Sequence, residues 1–141
     1  LRDILNKEPE KFRDLEKIVH PATRRYQILY IEKLISEGNP GCILDIPLLF
    51  ETGGEKYIDV SVVVTASEDK QKERVVAERK VPLEIFNSIK NQQMPDREKL
   101  KKADYIISTD QTLDETKLEV KDVVSRIKLI NPKAWNAFYK K

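Results

Sequence analysis

The sequence predicts an α/β fold in which a parallel sheet is flanked by helices as three layers. Three apolar runs have the length of strands: CILDI at 42–46, IDVSVVVTA at 58–66 and DYIIS at 104–108. Strands that alternate with helical segments along a chain are typical of parallel sheets covered by helices. Because the valines of the second run follow one another almost without a break, we expect that strand to be buried on both faces.

Two helical segments precede the first predicted strand. In the first, apolar residues recur on one face as far as His20-Pro21, where the proline is expected to interrupt the helix. The second helix is expected to stop at GNPG, residues 38–41. Glycine caps helices and proline cannot continue them, so this tetrapeptide also separates the helices from the first strand.

Helix starts follow the second and third predicted strands. Ser67, with acidic residues behind it, is a good N-cap, and Pro82 and Pro95 fit the first position of two further helices. After the third strand, Thr112 and Glu115 have the spacing of a capping box for a long helix. The tail NPKAWNAFYKK is expected to form a last helix whose aromatic side chains pack against the protein.

Composition excludes several classes of protein. The 141 residues suit one domain, and a net charge of +2 gives no reason to expect a nucleic-acid partner. The single Cys42 excludes an internal disulfide, and one histidine leaves no zinc-type ligand set. No apolar run has the length of a membrane span and no signal-peptide pattern opens the chain, so a cytoplasmic protein without a membrane partner is expected.

An aspartate between two apolar runs is the first candidate for chemistry. Asp45 follows three apolar residues, a Walker-B-like pattern in which the carboxylate holds Mg²⁺ or its water near phosphates. The alternative is an aspartate that only caps the turn after a strand. The run after it, Pro47 to Phe50, is by itself equally compatible with plain core, and Glu51 with the two glycines behind it indicates a turn.

Several basic side chains are candidates for binding phosphate groups. Arg74 and Arg79 lie on the helix after the second strand, and Arg97 and Lys99 lie in MPDREKLKKAD. The planar fork of arginine matches phosphate oxygens. The alternative is a solvated helix face with ordinary ion pairs. His20, which precedes a proline, could take part in catalysis; the alternative is that it only makes a hydrogen bond at a helix junction.

The order of these motifs resembles the dephospho-CoA kinase family. HPATR, DIPLLFETGG, VVVTASEDKQKER and QQMPDREKLKKADYIIST follow one another, and the resemblance extends from about Leu1 to Ile130. It implies a P-loop kinase fold and transfer of the γ-phosphoryl group of ATP to the ribose 3′-hydroxyl of dephospho-CoA. It further implies a helical CoA-binding part at 1–38 and a nucleotide-kinase core at 39–141, which includes a lid at about 76–94.

The resemblance also implies roles on the acceptor side of the reaction. It suggests that His20 and Arg24 face the dephospho-CoA pocket. It suggests that Pro47, Leu48 and Glu51 line the acceptor site.

On the donor side, the resemblance implies that Asp45 lies near the Mg²⁺ and the phosphates and that Arg74 acts on the ATP phosphates. Arg79 is expected to bind ATP as well, and Ser108 and Thr109 to approach the adenine. The family commonly has an asparagine near the last two residues and a glycine near Lys80, so this chain departs from the family at the adenine contacts and in the lid.

The glycine-rich loop of the family is not found in the sequence. GK followed by Ser or Thr does not occur, and the chain starts at Leu1 within a helical pattern. We therefore expect a piece of a longer kinase that is inactive alone, with Mg²⁺ held mainly by the missing segment. We also expect self-association through bared sheet edges.

Two other functions remain open from the sequence. The first is another small P-loop kinase that phosphorylates a nucleotide or a metabolite. The second is a non-enzymatic module that binds dephospho-CoA or a partner. A nucleic-acid binder is a weak third reading, because alternating charges give little electrostatic footprint.

Overall fold

The computed structural model describes residues 10–139, which form two compact units divided between Asp45 and Ile46. The start of the first predicted helical segment lies outside the described residues. The functional division at residue 38 that the resemblance implies stays a prediction.

The first unit is built on one long helix, α1, Glu10–Ser36. The predicted interruption at His20-Pro21 is wrong, since Pro21 lies inside this helix. The φ of proline suits a helix, but proline has no N–H, so the carbonyl four residues before it loses its hydrogen bond. Both residues are exposed, so water can solvate the carbonyl that loses its partner. The helix ends as predicted, because Gly38 has a φ of +77° and the Asn39 N–H donates to Leu34 O at 3.0 Å.

The segment 42–46 is not a strand. The prediction is wrong because a strand needs a neighbour for its ladder, and within residues 10–139 this segment pairs with none. Ile43 is 93% exposed, so the apolar pattern does not reflect burial here.

The second unit contains a parallel sheet of two strands, β1, Val62–Thr65, and β2, Tyr105–Ser108. Their register pairs Val62 with Tyr105 and Thr65 with Ser108, so both strands end together. The predicted parallel α/β architecture is confirmed, but burial of the valine run on both faces is wrong. Burial alternates along β1 and Val64 is 64% exposed, since the neighbouring elements cover one face more than the other.

Helices surround this sheet. They are α2, Glu68–Lys72, continued by a π-helical segment, Glu73–Glu78; α3, Leu83–Gln92; α4, Asp96–Lys102; and α5, Leu113–Ile127. A 3-10 turn lies at Gly54–Tyr57 and a second π-helical segment at Trp135–Tyr139. Pro82 and Pro95 stand at the N-caps of α3 and α4, one residue before the predicted position. The capping box that begins α5 is confirmed.

The tail packs on the sheet unit through its aromatic residues, as predicted. Trp135 stacks on Tyr139 with ring centroids 5.6 Å apart, and Phe138 meets Tyr57 edge-on at 5.3 Å. The buried apolar residues of this unit include Phe50, Phe86, Ile107, Val123, Ala134 and Tyr139. Among residues 10–139, none of the helices combines the length and the apolar character that a membrane span requires.

Candidate functional site

The carboxyl ends of the two strands are joined by hydrogen bonds. The Thr109 N–H and the Thr109 hydroxyl both donate to Thr65 O, at 2.9 and 3.0 Å. One residue further, Asp110 accepts from the Ser67 N–H at 2.9 Å and from the Ser67 hydroxyl at 2.7 Å. This edge is where ligands bind in open parallel sheets.

Arg74 reaches this edge from the π-helical segment. Its Nη1 donates to Thr109 Oγ1 at 2.8 Å and its Nη2 donates to Thr109 O at 2.6 Å. The side chain is half-buried, and the Arg79 N–H donates to Arg74 O across the wider π turn. The structure therefore brings Arg74 and Thr109 together. Single π turns are frequent at functional sites.

Ser108 and Arg79 have different surroundings. The Ser108 N–H donates to Glu119 Oε2 at 3.1 Å, which ties the end of β2 to α5. Arg79 caps the π-helical segment and its side chain is exposed. Neither side chain shares the contact between Arg74 and Thr109.

Asp110 is a charged residue of this edge that sequence reasoning missed. The hydrogen bonds from the Ser67 N–H and hydroxyl lower the pKa of this carboxyl, and the nearby charge of Arg74 adds to the effect. Ser67 begins α2 as predicted but makes no side-chain cap bond, because its hydroxyl donates to Asp110 instead. The position of an acid directly after DYIIST is the signal that would have revealed it.

An open cleft of about 490 Å³ lies beside the end of β1. Among its lining residues, Gln71 Nε2 donates to Ala66 O and to Asp96 Oδ2, both at 2.8 Å. Lys90 Nζ lies 2.7 Å from Glu68 Oε2. The residues that line the cleft are Thr65, Ala66, Ser67, Glu68, Gln71, Lys90, Pro95, Asp96, Leu100 and Asp110.

The predicted acceptor residues form one short helical turn. Gly53 has a φ of +68°, its N–H donates to Phe50 O, and the Gly54 N–H donates to Leu49 O at 2.8 Å. This pair of bonds is a Schellman end, which explains the glycine at position 53. Phe50 is buried, whereas Pro47 and Leu48 are exposed, Leu48 to 42%.

Glu51 binds the segment between α3 and α4. Its Oε1 accepts from the Met94 N–H at 2.8 Å and lies 3.2 Å from Lys99 Nζ, which also donates to Gln93 Oε1 at 3.1 Å. Burial alone would raise the pKa of the Glu51 carboxyl, but the hydrogen bonds from the Met94 N–H and from Lys99 lower it below its ordinary value. Lys99 is thus engaged by a carboxylate, while Arg97 on the same helix is exposed.

The remaining candidate residues belong to the first unit. His20 and Arg24 are one turn apart on α1 and therefore share a face; His20 is exposed and Arg24 is half-buried. Asp45 is exposed in the extended segment that ends this unit. Among the side chains that the structure describes, no group of three or more His, Cys, Asp or Glu residues is arranged to hold a metal ion.

Comparison with known proteins identifies the family. The family model for dephospho-CoA kinase matches residues 1–115. The dephospho-CoA kinase of Rhodopseudomonas palustris is 40% identical over 117 residues, which cover 83% of this chain and 59% of that protein. The enzyme of the same name from Agrobacterium fabrum is 37% identical over 127 residues, 90% of this chain and 66% of that protein.

A solved structure has the same fold. The crystal structure of TT1252 from Thermus thermophilus matches with a TM-score of 0.73 and 30% identity, over 92% of this chain and 65% of that one. The chain spans less than two thirds of the length of each of these proteins. The family match covers most of the chain, and so this chain belongs to the dephospho-CoA kinase family.

Proposed function

We propose that the protein transfers the γ-phosphoryl group of ATP to the 3′-hydroxyl of dephospho-CoA, the last step of coenzyme A synthesis. The match to the dephospho-CoA kinase family over residues 1–115 carries this proposal. Phosphoryl transfer depends on positioning and on neutralising the phosphate charge rather than on covalent chemistry by the protein.

Arg74 is the donor-side residue that we propose for catalysis. A guanidinium has five N–H donors, and the two bonds to Thr109 leave others for phosphate oxygens. These bonds also fix the orientation of the guanidinium, which saves the entropy of ordering it at the moment of reaction. Arg79 is proposed as a second phosphate contact, and Ser108 and Thr109 as the residues near the adenine.

On the acceptor side, we propose that exposed Pro47 and Leu48 contact dephospho-CoA. Glu51, in the same turn, is proposed to support this part of the acceptor site. In the first unit, the shared face of His20 and Arg24 is proposed to bind the same substrate.

Mg²⁺ is expected to be bound together with ATP. This ion usually keeps several waters and takes one or two carboxylates besides the substrate phosphates. Asp45, an exposed carboxylate, fits that need, and we propose it as the contribution of this chain. When bound, the ion would neutralise charge on the phosphates. The cytoplasmic location, the self-association and the lid at about 76–94 stay predictions.

The test uses the protein translated from its complete coding sequence. Purified protein is incubated with ATP, Mg²⁺ and dephospho-CoA, and formation of CoA is followed by chromatography. Arg74→Lys is expected to lower kcat about tenfold or more, since a lysine cannot make the two-pronged contact of a guanidinium with phosphate oxygens. Arg126→Lys is the matched control, because Arg126 makes an exposed helix pair with Asp122.

Two results would contradict the proposal. Phosphorylation of another nucleoside or metabolite in preference to dephospho-CoA would favour a different small kinase. Binding of dephospho-CoA by calorimetry without any phosphoryl transfer would favour a non-enzymatic module.

A further inference from the structure

The ion pair between Glu51 and Lys99 is much less exposed than others in the described chain. Its side chains are 17% and 13% exposed, whereas those of Arg126 and Asp122 are 63% and 57% exposed. Exposed ion pairs add little to the free energy of unfolding. When a pair is largely shielded from water, separating the two charges is costly, because each would be left without a partner. The pair therefore constrains the elements that carry it.

These elements are the proposed acceptor turn and the end of the predicted lid. Glu51 belongs to the Schellman turn that presents Pro47 and Leu48, and its Oε1 also accepts the N–H of Met94. Lys99 in turn donates to Gln93. One carboxylate oxygen thus joins the turn to the Met94 backbone and to Lys99 of α4, and Lys99 in turn reaches the Gln93 side chain.

The second oxygen of Glu51 argues against direct contact with substrate. Glu51 Oε2 is buried and has no hydrogen-bond partner among residues 10–139. It is covered by protein atoms, so it can meet a ligand only after the turn moves. The geometry therefore favours an indirect role, in which Glu51 holds the turn that carries Pro47 and Leu48.

We propose that Glu51 and Lys99 are positioning residues, whose ion pair holds the acceptor turn against the end of the lid so that Pro47 and Leu48 meet dephospho-CoA in one orientation. This role rests on the proposed function. It assigns Glu51 to the support of the acceptor surface and gives Lys99 a role other than phosphate binding.

Steady-state kinetics of the complete protein test the role. Lys99→Met removes the cation, and Glu51→Asp keeps the charge but shortens its reach. Both variants are expected to raise the KM for dephospho-CoA about tenfold, the effect of losing a charge-assisted hydrogen bond, and to leave the KM for ATP within about twofold. Lys101→Met, at an exposed position of the same helix, is expected to match the wild type in both constants.

Amide hydrogen exchange gives a readout that does not depend on activity. Loosening of the pair is expected to speed exchange of the Met94 N–H about tenfold in Lys99→Met and in Glu51→Asp. The Thr109 N–H, bonded to Thr65 O at the sheet edge, serves as the internal reference and is expected to keep its rate. If Lys99→Met does not fold, the result for Glu51→Asp decides, because that variant keeps both charges.

Failure of this inference is distinguishable from failure of the proposed function. An active wild type whose variants keep the wild-type KM for dephospho-CoA, raise both KM values equally or leave Met94 exchange unchanged would overturn the positioning role alone. A wild-type protein that does not phosphorylate dephospho-CoA would overturn the function and, with it, this role in the reaction.

Discussion

Replacement of Lys80 by glycine is predicted to stabilise the protein. Lys80 has a φ of +56°, in the left-handed region that residues with a Cβ rarely adopt. That conformation costs about 1–2 kcal/mol for an L-residue. Glycine adopts it freely but loses about 0.5–1 kcal/mol more backbone entropy on folding. The side chain of Lys80 is exposed and gives up little packing, so Lys80→Gly should raise the free energy of unfolding by the difference of these costs, up to about 1.5 kcal/mol.

Urea denaturation followed by tryptophan fluorescence measures this change. Trp135 is the single tryptophan and belongs to the same compact unit as Lys80, so it reports the relevant transition. Arg79→Gly is the matched control: Arg79 has a φ of −87°, where glycine brings only the entropy loss, and its unfolding free energy should fall by about 0.5–1 kcal/mol. Shifts of the same sign in the two variants would refute the assignment of strain to Lys80.

Three further predictions follow from single contacts. Thr112→Ala removes the capping box of α5 and should lower the unfolding free energy by about 1 kcal/mol; an unchanged urea midpoint would contradict this. Gly54→Ala places a Cβ 3.1 Å from Leu49 Cδ1 and 3.3 Å from Leu49 O, so it should lower the thermal midpoint, and an unchanged midpoint would show that the turn yields. The hydrogen bonds from Met94 and Lys99 hold the pKa of Glu51 below its ordinary value, so its pair with Lys99 adds stability at neutral pH and loses it as the pH falls through the lowered pKa. The stability gap between the wild type and Glu51→Gln should therefore narrow as the pH is lowered from neutral into the acid range, and a constant gap in urea titrations would count against it.

Local signals in the sequence were sufficient where the cause of the structure is local. The capping box needs only Thr112 and Glu115, and the end of α1 needs only the left-handed freedom of Gly38. A prediction that depends on a partner distant in the sequence was wrong. The run 42–46 has the composition of a strand, but a strand exists only where another strand accepts its hydrogen bonds.

The candidate site was predictable residue by residue but not contact by contact. Arg74 and Thr109 were both selected from the sequence, yet their contact spans 35 positions and follows from the register of β1 and β2. Lys99 has the spacing of an ordinary lysine on a helix surface, and nothing near it in sequence indicates its distant partner, Glu51. Burial of that pair is a property of tertiary packing and carries no local pattern.

Arg74 and Glu51 make contacts next to the two ends of the predicted lid. Arg74 binds Thr109 just before residue 76, and Glu51 binds the Met94 N–H where the lid ends. In a segment held at both ends, a few hinge residues between the anchors absorb the change in φ and ψ when it moves. Lys80 lies close behind the first anchor with its φ of +56°, so relief of its strain by glycine should stabilise the unit and also alter the freedom of the lid. We therefore expect Lys80→Gly to change exchange rates within 81–92 while the amides of Met94 and Thr109 keep theirs, because both anchors remain intact.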